Sequence, residues 1–306
     1  MRPPAVEPPA GRQGPGPLPR PLLQALDLRL ARRSASPLPG EHRAPGVGQG
    51  TELTQLRPYQ VGDDVRQLDA AATARTGEPH VRLHTPERSL TTWLVVDVSP
   101  SMAFGTAERL KADVAQGVSL AVSQLAVRRG GRLAMVEFGT EKPRQLPPSG
   151  GRGAVARVRR ALEEGVAVDV EAPRAPHRSA LARALTRVGK MAKASGLVVV
   201  VSDFRDEDGW QRPLRRLSLH HSAVAVEVRD PRESELPAVG RLAVVDPETG
   251  RVVEVDTNRP KLRERFAAAE GARRAHLASD LRRARVQHIE LTTEGDWLRD
   301  LGRGLR

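Results

Sequence analysis

"TTWLVVDVSPS", Thr91–Ser101, carries the reading of the fold. The apolar run from Trp93 to Val96 leaves no polar face, so it describes a strand buried on both sides. The run ends in Asp97, and an ionised carboxylate at the end of a buried strand is costly unless something satisfies it. Ser99 and Ser101 follow at alternate positions, where a turning backbone can aim both hydroxyls at one point.

Working outward, three more stretches have the same character: "GGRLAMVEFG" (130–139), "LVVVVSDF" (197–204) and "SAVAVEV" (222–228). Helical patterns lie between them. Leu110, Val114, Val118, Ala121 and Leu125 share one face at 3–4 spacing. "GAVARVRRALEEG" (153–165) and "SALARALTRVGKMAKASG" (179–196) read as helices, the second with Leu181, Leu185 and Val188 inward and Gly196 as a stop. "GWQRPLRRLSLHH" (209–221) reads as a helix interrupted early by Pro213. Strands alternating with helices predict an α/β fold, Rossmann-like and doubly wound, with a mostly parallel sheet covered on both faces.

Beyond that core, "RLAVVDPETGRVVEVD" predicts a hairpin insertion at about 241–257, because "DPETG" is a turn between two alternating runs. An Ala/Arg-rich helix spans roughly Lys261–Arg285, then a strand "VQHIEL" and a helix "GDWLRDLGRGL". At the other end, residues 1–20 are rich in Pro and Gly without apolar period and read as a disordered tail. Residues 21–90 form a separate N-terminal segment. It holds a short amphipathic helix at Pro21–Arg33, a turn-rich loop over 34–56 and an edge strand "HVRLH" (80–84). The main α/β domain covers 91–306.

The chain has 306 residues and is 39% hydrophobic, enough for a sizeable core. It has no cysteine, which excludes disulfides, thiolate metal sites and a cysteine nucleophile. No apolar stretch near the start has signal-peptide length, and the longest apolar run is "LVVVV" at Leu197. A cytoplasmic protein is expected. The net charge of +12 attracts acidic partners, nucleic acid or anionic surfaces. Aromatic residues are 3% of the chain, too few for single-strand stacking platforms.

In an open parallel sheet, ligands bind beyond the carboxyl ends of the strands. Asp97 and Asp203 both end buried strands, so both face that edge. Two carboxylates brought together there repel unless a cation sits between them. Ser99, Ser101 and Ser179 add hydroxyls, Ser179 from the start of the helix before the second acidic strand. Asp97, Ser99, Ser101, Ser179 and Asp203 make an all-oxygen set suited to Mg²⁺ or Mn²⁺. On spacing alone, helix capping is the stronger reading of Ser101 and Ser179; the two acidic strand ends in one sheet, with the family resemblance these residues carry, turn that order towards metal binding. Asp63 and Asp64 read as an acidic turn paired with Arg57 or Arg66, and His80 and His84 as surface residues.

These residues resemble a known pattern. "DVSPS", a later hydroxyl before a helix, and "SDF" after an apolar strand are similar to the metal-ion-dependent adhesion site (MIDAS) of von Willebrand factor A domains. More specifically, "LRPYQVGDDVRQLDAAATART" (56–76), with its Tyr-x-x-Gly-Asp-x-x-Arg pattern, leads into "VVDVSPSM", and "DPETGRVVEVDT" (246–257) follows near the end. Together they resemble the bacterial domain-of-unknown-function family 58, over about Gly50 to the C-terminus. Ser179 stands where the adhesion pattern usually has Thr, and keeps the hydroxyl. Ala70 stands where the family segment usually has Trp. The resemblance implies a von Willebrand factor A-like domain, a magnesium site and a role in protein–protein interaction. It also implies a MoxR-type AAA+ ATPase as partner, in protein maturation or assembly.

The reading that follows is a binding module and not an enzyme. A metal held by hydroxyls and two carboxylates keeps an open position for an Asp or Glu of a partner. The first alternative is a Mg²⁺-dependent phosphohydrolase, but the second acid such enzymes place two residues on is here Ser99, and there is no nucleophile elbow or phosphate loop. The second is a basic nucleic-acid scaffold using Arg157, Arg159 and Arg160 with Arg282, Arg283 and Arg285; solvated helix faces account for those residues better.

Overall fold

The computed structural model describes residues 13–26, 52–85, 90–128, 130–163, 180–205, 209–245 and 251–305. The chain divides into two compact units, one comprising residues 39–89 and the other the rest.

The small unit is built on an antiparallel pair, β1 (Glu52–Pro58) and β2 (His80–Thr85), in which Arg57 faces Val81 and Pro58 faces His80. Residues 52–56 therefore belong to a strand and not to the loop that their turn-rich surroundings suggest. Strand β2 supplies the missing partner, which a reading of local sequence does not see. Between the strands lies α2 (Ala70–Thr76). Asp69 caps it by accepting from Ala72 N at 2.7 Å, and Gly77, at φ +77°, ends it in the left-handed region. The second Asp69 oxygen meets Arg82 Nε at 2.6 Å. Asp63 pairs with Arg57 at 2.7 Å, as an acidic turn requires.

In the large unit a short helix, α1 (20–26), comes first. Six strands follow: β3 (Thr91–Asp97), β4 (Arg132–Phe138), β5 (Gln145–Ser149), β6 (Gly196–Ser202), β7 (Ser222–Arg229) and β10 (Gln287–Thr292). Their order is β10-β7-β6-β3-β4-β5, all parallel except β5, which runs antiparallel to β4 at the edge. β5 reads "QLPPS" and has no strand signature. Proline is tolerated there because an edge strand need not donate on its outer side. A separate hairpin, β8 (Arg241–Val245) and β9 (Val252–Asp256), pairs Arg241 with Asp256 and Val245 with Val252. Its turn, residues 246–250, lies outside the described residues.

Both faces of the sheet are covered, and β3 shows how. Leu94 and Val96 point into a core shared with α1, α3 (Lys111–Arg128), α4 (Gly151–Glu163) and α8 (Trp297–Gly304). Trp93 and Val95 point the other way, towards α5 (Ala180–Met191), α6 (Gln211–Ser218) and α7 (Pro260–Arg283). Each such fully buried Val or Leu contributes about 1.5–3 kcal/mol, which is why the strand is apolar from Trp93 to Val96 and turns polar again only at Asp97. The crossovers leave β3 in opposite directions, to β4 on one side and to β6, β7 and β10 on the other. The order therefore reverses between β3 and β6, and a crevice opens there at the carboxyl ends.

The Pro/Gly-rich start departs from the expected disordered tail. Residues 1–12 lie outside the described residues, but residues 13–20 pack against the core. Trp297 Nε1 donates to Pro15 O at 3.0 Å, Leu18 packs on the helical layer, and Gln13 N donates to Asp113 Oδ2 at 3.2 Å. A segment with no periodicity of its own is ordered by what it covers. Gly117 of α3 makes room for that cover: a Cβ there would lie 2.4 Å from the Trp297 ring and 2.8 Å from Pro15 Cβ.

Gly117→Ala should therefore lower stability by about 1–3 kcal/mol despite its better helix propensity. Gly153→Ala in α4, where a Cβ would meet nothing within 4 Å, should raise it by about 0.4–1 kcal/mol. Urea midpoints measure both; a stabilised Gly117→Ala chain would contradict this packing.

Candidate metal centre

Neighbouring β3 and β6 place Val96 opposite Val201, so Asp97 at the end of one strand meets Ser202 at the end of the other. Ser202 Oγ donates to Asp97 Oδ2 at 2.5 Å, and Ser99 N donates to Asp97 Oδ1 at 3.0 Å. The chain then turns through a 3-10 helix, Pro100–Ala103, which brings the Ser99 and Ser101 hydroxyls within 3.0 Å of each other. The Ser101 hydroxyl reaches on to Asp203, the residue after Ser202. Asp97, Ser99, Ser101 and Asp203 thus form one continuous set, and all four are buried. Ser179 lies outside the described residues.

Capping does not explain Ser99 or Ser101. Ser99 precedes the 3-10 turn but makes no side-chain cap bond, and α3 starts at Lys111, well beyond Ser101. Asp113 instead serves that helix start, accepting from Leu110 N at 3.1 Å. On the third side, Gly139 follows β4 at φ +85°. A Cβ there would sit 2.6 Å from Ser99 Cβ and 2.9 Å from Asp97 Oδ1, so only glycine lets this backbone close over the loop. Phe204 also has positive φ, at +50°, which is strained for a bulky residue. Ser202 Oγ holds its N–H at 2.9 Å, and its ring packs edge-on against Trp210 at 5.7 Å.

The structure adds a residue that the sequence reading passed over. Lys111 is fully buried, with Nζ 2.6 Å from Asp203 Oδ2 and 2.6 Å from Glu233 Oε1. Its register is a signal that could have found it, since it lies three and four residues before buried Val114 and Ala115 and shares their inward face. Glu233 offers no such signal. It is placed by Asp230, whose N–H it binds at 3.0 Å in a capping box after β7. Asp230 also accepts from Thr106 N at 2.7 Å, Thr106 Oγ1 at 2.5 Å and Thr293 Oγ1 at 2.6 Å. It therefore ties together the loops that follow β3, β7 and β10.

The two strand-end acids differ in charge state. Burial, then the negative charge of Asp203, push Asp97 up to about 7. Burial acts upward on Asp203 too, but the Lys111 ammonium overrides it and holds the carboxyl below its ordinary range. Lys111 is likewise raised: its burial favours the neutral amine, but Asp203 and Glu233 outweigh that. One carboxylate thus has its cation and the other does not. A small hard dication fits what remains, because Asp97, Ser99, Ser101 and Asp203 offer only oxygen.

Two other features do not compete for this role. Glu227, His288 and Glu290 approach one another closely enough to share an ion. Arg273 and His288 pair with Glu227, however, while Arg229 and Arg274 pair with Glu290, so the group is an ion-pair network. A cleft of about 1200 Å³ lies between α5, α6 and the starts of β6 and β7, at the opposite end of the sheet. Lys190, Lys193, Arg212, Arg215 and Arg216 line it, and no carboxylate does among the described residues.

A mostly parallel six-stranded sheet with Asp-x-Ser-x-Ser at the end of one strand and Asp after its neighbour defines a von Willebrand factor A-like α/β protein. The chain belongs to the family described as "Protein of unknown function DUF58", whose model matches residues 55–276. It is 38% identical over 282 residues to the uncharacterized protein Rv1480 of Mycobacterium tuberculosis, covering 92% of this chain and 87% of that one. It is also 38% identical over 133 residues to the uncharacterized protein MAV169 of Mycobacterium avium, covering 43% of this chain and 78% of that one. Among solved structures, it is similar to the conserved hypothetical protein BatB from Bacteroides thetaiotaomicron, with TM-score 0.43 and 13% identity over 71% of this chain and 97% of that one. It is similar too to the SpRpn10 VWA domain, with TM-score 0.36 and 11% identity over 69% and 93%. Among the described residues no helix is long and apolar enough to cross a membrane.

The charge state of Asp97 has a measurable consequence without any metal. Its folded value, about 7, lies above that of the unfolded chain, so its contribution to stability is full only below the unfolded value of 3.8 and is lost as pH rises from there through about 7. In chelator, the urea midpoint of the wild type should fall relative to that of Asp97→Asn between pH 5 and pH 8. Parallel profiles would mean that Asp97 ionises normally.

Proposed function

We propose that the protein is a metal-dependent protein-interaction module. Mg²⁺, or Mn²⁺, is held by Asp97, Ser99, Ser101 and Asp203, with Ser179 as a further hydroxyl ligand. The observation that carries this reading is the convergence of the first four in one buried set at the sheet's switch point. Bound there, the ion supplies an electrophilic position that an Asp or Glu of a partner can fill. The chain's own groups fix its place: Ser202 and the Ser99 N–H orient Asp97, and Gly139 closes the loop behind it.

The partner that the sequence pattern implies is a MoxR-type AAA+ ATPase. Surplus positive charge, including the cationic cleft, steers an acidic partner towards the protein. Binding is favoured over turnover. Lys111 is the one buried ammonium beside the strand-end acids among the described residues, and it is held between Asp203 and Glu233 with no exposure to solvent, a placement that serves those acids and not an incoming phosphoryl group. Residue 99, where a second acid would assist phosphoryl transfer, is a serine.

Asp97→Ala should retain the fold by circular dichroism and lose capture of the AAA+ ATPase at least tenfold in Mg²⁺. The wild type should lose capture to the same extent in chelator. Equal capture with and without chelator would sink the metal-dependent reading.

A further inference from the structure

We infer that Lys111 is a tethered cation that competes with the metal ion for Asp203 and so sets the affinity of the site. This rests on the metal-centre reading above and goes further, to its regulation. Asp203 has no idle oxygen: Oδ2 takes Lys111 Nζ at 2.6 Å, and Oδ1 takes Arg205 N at 3.1 Å. An incoming dication must share a carboxylate that already carries a full positive charge. Arg205 Nε adds a second cation nearby, 3.2 Å from Glu233 Oε1. Asp203 and Glu233 are thus set against the Lys111 ammonium, with Arg205 shared between Glu233 and Glu270, so the ion meets an acid cluster that is already partly neutralised from within the fold.

Lys111 cannot swing away to make room. It opens α3, its backbone N–H is bound to Phe104 O at 2.9 Å, and its side chain has no exposure. Glu233 holds the far side of the ammonium and is itself clamped to Asp230 N at 3.0 Å. Asp230 grips Thr106 and Thr293. The lysine therefore lets the two acids coexist in a folded, metal-free chain and opposes the ion that would otherwise bind them tightly. A metal centre of this kind loads only at high ion concentration, and any partner that shifts the Glu233 turn changes that threshold. The same chain of contacts links the turn to the loops after β3 and β10.

The test is Mn²⁺ affinity, read by electron paramagnetic resonance of free Mn²⁺ at fixed pH and ionic strength. Lys111→Met should bind Mn²⁺ at least tenfold more tightly than the wild type, and added Mn²⁺ should raise its melting temperature by more. Glu233→Gln should shift affinity the other way, severalfold weaker, because one attracting charge goes and the lysine leans on Asp203 alone. It also serves as the deciding variant should Lys111→Met fail to fold. Unchanged or weaker binding by folded Lys111→Met, or unchanged or tighter binding by Glu233→Gln, overturns the role of the lysine and leaves the metal centre standing. No Mn²⁺ binding by any of the three chains overturns the metal centre, and the lysine inference with it.

Discussion

Two carboxylates are buried side by side at the ends of adjacent parallel strands, and the rest of the site is arranged around that constraint. β3 and β6 are apolar along their length because helices cover both faces, so their acids emerge only at the carboxyl ends. The strand order reverses between these two strands, and the crevice so formed is where the acids meet. Burial there, and then the neighbouring negative charge, raises the cost of ionising Asp97. The chain answers unequally. Asp203 receives an ammonium from within the fold, and Asp97 receives only hydrogen bonds from Ser202 and Ser99.

That inequality is what the proposed metal site would have to work with. A site with both acids neutralised internally would attract no ion, and one with neither neutralised would be hard to fold without one. Lys111 gives the intermediate case. Asp230, ringed by hydroxyls and N–H donors from three loops, ties the Glu233 turn to the loops after β3 and β10. At the opposite end of the sheet the cationic cleft presents a different chemistry. The protein thus offers one pole suited to coordination and another suited to long-range attraction.

Much of this was legible in the sequence, and the reasons are specific. The apolar runs at Leu94 and Leu197 can only be strands buried on both faces, and the acid that ends each marks the same edge of a parallel sheet. Asp97, Ser99, Ser101 and Asp203 were therefore readable together. β1 and β5 were not, because edge and hairpin strands owe their form to a partner: "QLPPS" has no strand propensity of its own. Residues 13–20 likewise take their order from Trp297 and Gly117, far away in sequence. Lys111 was hidden by its type, since lysine at a helix start reads as solvent-facing unless its register with Val114 is followed. Glu233 and Asp230 were hidden because short turns after β7 carry no periodicity.

The place where a cation sits decides whether this site is a metal centre. The most direct measurement is the anomalous difference map of crystals grown with Mn²⁺. A single peak within about 2.0–2.3 Å of a carboxylate oxygen of Asp97 and of the Ser99 and Ser101 hydroxyls is the expected result, with Lys111 still bound to Glu233. A peak elsewhere, such as among Glu227, His288 and Glu290, or no peak at saturating Mn²⁺, would contradict it.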